Sequence, residues 1–335
     1  MSQSAIEKVR AMSDRELFSF FNGPEIYKDP EMTLAVCQEV ENREAARTGR
    51  KPAVIVFEDM EEGCLGQADP NGKIILNRMY LDPGMRGVLP PARLLNTLLH
   101  EGRHHWQFSL LGNENSGIPE SIRLMLQVDS LCYVGGPETT IDVGIRPPEI
   151  QTRIEYAMQE NEMDARFHAI RRMQEIAKLI APDTAFQIQL RKAQNEEVQE
   201  ILKVLKFCSE EQYRQLEKLR LEKYRQRAEH YRKMGYDVPE LPENFRCYGN
   251  IWMIRNIISP VMGFLFQKMP LSRRLADTNR MLYRLFEIAR VSAMKGKPLE
   301  KPEELLAIAI REGFAEEFGL AEIRATEKME KSPGL

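Results

Sequence analysis

Cysteine and histidine are scarce in this chain, long apolar runs are missing, and neither sign of charge dominates. The five cysteines, Cys37, Cys64, Cys132, Cys208 and Cys247, lie far apart with no CxxC pair. That spacing excludes a dense disulfide framework and a cysteine-based zinc site, and leaves reduced thiols as the expectation. A net charge of -3 over 335 residues provides no global field to attract nucleic acid or an anionic membrane, so neither partner is expected. The most apolar stretch, residues 251–266, is interrupted by Arg255, Asn256 and Pro260. It is also shorter than the roughly 20 residues a membrane helix needs, and reads as a buried helix. The first ten residues are polar and lack the apolar core of a signal peptide, which points to a cytoplasmic protein. No internal repeat or low-complexity segment stands out.

What remains is an ordinary globular composition, 43% hydrophobic and 29% charged, long enough for two domains or one extended one. Ser13-x-x-Glu16 is a capping box, followed by Leu17, Phe18 and Phe21 and stopped by Gly23-Pro24. A second helix is expected over residues 30–47. The period then changes to β. Residues 53–57, 64–68 and 73–77 read as short strands, and Asp69-Pro70-Asn71-Gly72 joins the last two into a hairpin. A proline start and a glycine stop frame a helix over residues 91–111, ended by Gly112, with Leu94, Leu95, Leu98 and Leu99 as its apolar stripe. Helical patterns follow over residues 119–132 and 149–179.

From Asn195 onward the chain is helical and charged. A second capping box, Ser209-x-x-Gln212, restarts the helix there, and residues 237–250 are the clearest linker. Residues 214–233 interleave Arg and Lys with Tyr213, Tyr224 and Tyr231, which a single-stranded nucleic acid could use. Glu217, Glu222 and Glu229 break up that basic face, so a solvated helix with tyrosines packed inward is the better reading. Two or three further helices fill residues 251–330. The expected fold class is therefore α+β, predominantly helical.

Only five histidines are present, yet two of them form the run His100-Glu101-Gly102-Arg103-His104 inside the leucine-rich helix. Imidazoles four residues apart lie about one turn from each other on one helix face, so both can reach one ion. Zinc with two His, one further protein ligand and one water is a hydrolytic arrangement, and Glu101 would serve as base rather than ligand. The third ligand should come from a later element. Glu160-Asn161-Glu162-Met163-Asp164-Ala165 is the acidic cluster that qualifies, because Ala165 and Ala169 share a face with Glu162 and would allow close helix approach. His105 is rotated about 100° from His104 and should not reach the same ion. His168 would serve only if the acidic cluster is misread, and His230 should face solvent.

These motifs resemble the gluzincin class of zinc metallopeptidases, in particular small bacterial and phage-type HExxH proteins. In that class a hairpin ending near an Asn precedes a helix of the form HExRHxxQ, and a later helix carries E-x-[DE]-A. The matching residues are residues 74–77, His100 to Gln107, and Glu162-Met163-Asp164-Ala165, within residues 52–169. The resemblance implies a zincin-like core, with the small sheet packed on the HExxH helix, over residues 1–180 and a helical C-terminal domain or arm over 181–335. It implies Zn2+ held by His100, His104 and Glu162, with Glu101 as general base and Asp164 orienting a ligating His. Arg166 and His168 depart from the pattern after the Ala. Glu160-x-x-x-Asp164 matches the ExxxD spacing of thermolysin-like members, so Glu160 remains a rival ligand.

The expected activity is zinc-dependent hydrolysis of peptide bonds in a peptide or protein substrate. Lys73–Asn77 is taken as the edge strand that would pair with substrate backbone. Arg103, Tyr156 or Arg166 would stabilise charge in the transition state. The alternative is a non-catalytic zinc-binding interaction or regulatory protein on the same scaffold, because the long C-terminal region carries no catalytic motif of its own. Those C-terminal helices are also the candidates for homo-oligomer contacts.

Overall fold

A computed structural model of the chain describes residues 3–111 and 117–320. Two short helices open it, α1 (Gln3–Arg10) and α2 (Asp14–Ser19), before the longer α3 (Pro30–Thr48). The Ser13 side chain accepts from the Glu16 amide and Glu16 returns the bond, so the expected capping box starts α2. Asp29 caps α3 and Pro30 occupies its first turn. Three strands follow: β1 (Val54–Glu58), β2 (Gly66–Asp69) and β3 (Lys73–Asn77). Next come α4 (Pro91–Leu110), α5 (Glu120–Cys132), α6 (Pro148–Met158), α7 (Glu160–Leu179), α8 (Thr184–Phe207) and α9 (Glu210–Lys233). The remaining helices are α10 (Gly249–Met253), α11 (Ser259–Gln267), α12 (Leu271–Met294), α13 (Pro302–Arg311) and α14 (Phe314–Glu317). The fold is thus α+β and predominantly helical. The Gly112 stop and the expected helix over residues 321–330 lie outside the described residues.

The hairpin forms as its turn sequence predicts. Asp69 accepts from the Asn71 amide at 2.8 Å, and Gly72 takes the positive φ of +98° that closes the turn. One expectation about the sheet is corrected. Its strand order is β1-β3-β2, with β1 parallel and β2 antiparallel to β3. Lys73–Asn77 is therefore the central strand, hydrogen-bonded on both sides, and β1 and β2 are the edges. The chain crosses over between β1 and β3, which local strand signals do not reveal.

The chain divides into two compact units. The first is drawn from Met1–Asn113 and Asp164–Gln194, the second from Glu114–Met163 and Asn195–Leu335. Each unit is discontinuous in sequence, two of the three changeovers fall inside α7 and α8, and residue 180 lies within the first unit. In that unit the sheet packs on α4, and Leu94, Leu95, Leu98 and Leu99 of α4 join one core with Val36, Ile55, Ile74, Ala169 and Met173. Burying each leucine side chain is worth about 1.5–3 kcal/mol, which holds α4 in a single orientation. In the second unit the apolar residues 251–266 are a buried helical stretch, with a π-helical turn over Ile254–Ile258. Tyr213 and Tyr224 are buried there, as the packed-inward reading expects, whereas Tyr231 is exposed, against that reading. Among the described residues no helix is long and apolar enough to cross a membrane.

Candidate metal centre

Helix α4 runs unbroken through the HExxH stretch, so the turn geometry expected from the spacing is realised. Nε2 of His100 and Nε2 of His104 stand 3.1 Å apart, with the rings edge to face at 86°. Two nitrogens bound to a tetrahedral ion at about 2.0–2.1 Å would be separated by roughly 3.3 Å. The pair already has the spacing of shared ligands.

Helix α7 brings the third donor. Ala165 and Ala169 are fully buried, and Ala169 packs in the same core as the α4 leucines. One ligand atom each from His100, His104 and Glu162 lie within 4.8 Å of one another, the one such group among the described residues. Two imidazoles and one carboxylate fit zinc, a borderline-soft ion that accepts both nitrogen and oxygen. Such a set has room for further ligands.

Glu160, the rival, is not in that group. The pattern of residues 149–179 reads as one helix, but the structure breaks it at Gln159, whose ψ of 142° is extended. The Gln159 side chain bonds the Val134 backbone on both sides, accepting from its amide at 2.8 Å and donating to its carbonyl at 3.1 Å. The acidic cluster therefore opens a new helix, and it is buried rather than solvated. Glu160 receives both arms of the Arg290 guanidinium at 2.6 and 2.9 Å. The Tyr133 hydroxyl donates to Glu162 Oε1 at 3.1 Å.

The surroundings of His104 set its ring. Nδ1 stands 2.8 Å from Gln107 Oε1, so Nδ1 carries the proton it donates and Nε2 keeps its lone pair. Gln107 in turn donates from Nε2 to Asp164 Oδ2 at 2.8 Å, which fixes which end of its amide faces the histidine. Asp164 also receives Arg103, at 2.7 Å from Nε and 3.1 Å from the terminal nitrogen. The orienting link expected from Asp164 to a ligating His thus runs through Gln107. Sequence reasoning quoted Gln107 in the motif without a role and missed Tyr133 altogether. Gln107 was findable, three residues after His104 on the same helix face; Tyr133 was not.

Arg103 is committed to this arrangement. Its guanidinium stacks 3.3 Å over the Trp106 ring and its side chain is almost fully buried. Of the other two candidates, Tyr156 lies edge-on to Tyr133 at 6.3 Å, and Arg166 follows Glu162 by one turn of α7.

Glu101 is buried on α4 against strand β2. A Cβ built on Gly66 would lie 2.6 Å from Thr97 Cγ2 and 3.0 Å from Glu101 Cγ, so only glycine lets this edge strand come so close. Burial and the Glu101 charge raise the pKa of the nearby Cys64 thiol. Glu101 therefore follows His100 on α4 and packs against the outer strand of the sheet.

The other histidines follow their expected places. His105 donates from Nε2 to the Lys73 carbonyl at 2.8 Å, pinning α4 to β3. His230 is exposed. His168 packs beside Arg103 and Trp106. Its pKa is pushed down to about 3 by burial and by the Arg103 charge, so it is a neutral packed group. Comparison with protein-family models, with curated proteins and with solved structures finds no match.

Proposed function

We propose that the chain is a zinc-dependent peptidase of the zincin type, with His100, His104 and Glu162 as the metal ligands and Glu101 as the general base. The observation that carries this reading is the convergence of those three donors with Glu101 next to the first of them. When bound, zinc would polarise the scissile carbonyl and make water more acidic. Glu101 takes the proton of the attacking water and delivers it to the leaving amine. Its burial beside Gly66 supports this role, because a carboxylate excluded from bulk water keeps its proton on the reaction path. The free edge of β2, rather than central β3, is the strand available to pair with substrate main chain. A strand laid along that edge would pass close to the Glu101 carboxylate.

The test combines metal analysis with cleavage of denatured casein and peptide libraries. The expected result is one equivalent of zinc, lost in His100→Ala and His104→Ala, and peptide cleavage abolished by Glu101→Gln. Cleavage that survives Glu101→Gln would overturn the assignment of the base. Stoichiometric zinc with no cleavage of any peptide would favour the non-catalytic alternative.

A further inference from the structure

Arginines from two C-terminal helices reach back to the first turn of α7, where the proposed carboxylate ligand sits. Arg290 of α12 holds Glu160 with both arms of its guanidinium, across 130 residues of sequence. Asn250 completes that grip, donating to Glu160 Oε2 at 3.1 Å and accepting from Arg290 at 3.1 Å. Arg220 of α9 donates to Asp129 Oδ1 at 2.7 Å, and the other oxygen of Asp129 accepts the Asn161 amide at 2.9 Å. Arg220 is itself held by the Tyr248 hydroxyl at 2.8 Å. Arg220, Arg290, Asp129 and Glu160 are all essentially inaccessible to solvent.

Two ion pairs buried this deeply are an expensive way to hold a helix end. Apolar side chains of the same volume often stabilise a fold as well or better. What the forked, bidentate Arg290–Glu160 pair adds is direction, since it fixes the rotation of the group it holds. Residues 160 and 162 lie about 200° apart around the helix. A grip on Glu160 from one side therefore sets the angle at which Glu162 leaves the other. Asp129 fixes the same turn through the Asn161 backbone, and Tyr133, one turn later in the chain, holds the Glu162 carboxylate itself.

We infer that Arg290 and Arg220, together with Glu160 and Asp129, are positioning residues for the metal site. The long C-terminal helices, which carry no catalytic motif, set the rotation of the α7 first turn and so the aim of Glu162. This rests on the proposed zinc reading and extends it to residues distant in sequence from the three ligands.

The experiment measures zinc affinity by chelator competition, the visible spectrum of the cobalt-substituted protein, and thermal unfolding. It compares the wild type with the paired replacement Glu160→Met/Arg290→Met, which removes both charges together. The pair is expected to keep the cooperative unfolding of the wild type, to lose roughly tenfold in zinc affinity, and to shift the cobalt spectrum. A purely structural role would move the unfolding midpoint and leave the spectrum unchanged, and that result would overturn the inference. If the pair fails to fold, Arg290→Lys takes its place, keeping the charge but losing the fork. It must weaken zinc binding, and unchanged affinity would overturn the inference. Wild-type protein that takes up no zinc would overturn this inference and the zinc reading together, whereas wild-type binding with an unaffected variant overturns this inference alone.

Discussion

Gln107 accepts a hydrogen bond from Nδ1 of His104 at 2.8 Å, and this contact decides which nitrogen of the ring faces the proposed ion. A histidine ligates through a neutral nitrogen, and the partner of its other nitrogen selects the tautomer. Here the acceptor is a neutral amide. Its own orientation depends on Asp164, which accepts from Gln107 and from Arg103 at once.

Replacing Gln107 by Leu removes the acceptor without adding a charge. Zinc affinity is expected to fall by about 10–100-fold with little change in secondary structure. Chelator competition measures the affinity. An affinity equal to that of the wild type would show that the ring is oriented by something else.

Arg103→Met removes two charge-assisted bonds from the buried Asp164 carboxylate. The expected loss of stability is about 3–5 kcal/mol, read from urea denaturation. Asp164→Asn/Arg103→Met should recover part of it, since the buried negative charge is then removed together with its cation.

Glu101→Gln keeps the volume of the side chain and removes its basicity. Turnover is expected to fall by about 10²–10⁴ while zinc uptake is retained. Peptide cleavage and metal analysis on the same preparation separate the two effects.

Gly66→Ala brings a methyl group within 2.6 Å of Thr97 Cγ2, and near Glu101. The strand or the side chains must move, at a cost of about 1–3 kcal/mol in a denaturation experiment. Because Glu101 is among the displaced atoms, cleavage should fall further than stability alone explains. Equal activity per folded molecule would argue against a role for this close approach in catalysis.

His168 gives the fold a dependence on acid. Its ordinary value of 6.5 drops to about 3 in the folded chain, chiefly through burial and then through the Arg103 charge. Between those two values the unfolded chain binds a proton that the folded chain does not. Stability contributed by the neutral ring is therefore complete above 6.5 and is lost progressively as the pH falls below it. The slope attributable to this group is at most about 1.4 kcal/mol per pH unit. Urea midpoints at neutral and mildly acidic pH should differ less in His168→Gln than in the wild type.

The sequence by itself determined whatever depends on neighbours three or four residues away. The capping boxes at Ser13 and Ser209, the Asp69–Gly72 turn, the leucine stripe of α4 and the shared face of His100 and His104 are all of this kind. In each, a turn of helix or a tight loop brings the interacting groups together through local backbone geometry alone.

Tertiary structure decided the rest. The crossover after β1 places Lys73–Asn77 in the middle of the sheet and leaves β2 as the edge beside Glu101. The break at Gln159 is paired with Val134, and Glu160 is paired with Arg290, two partners that no periodicity can reveal. The same holds for Tyr133 on Glu162 and for Asp164 acting through Gln107. Such contacts join residues tens to more than a hundred positions apart, so they exist only once burial of the apolar faces has fixed where each helix lies.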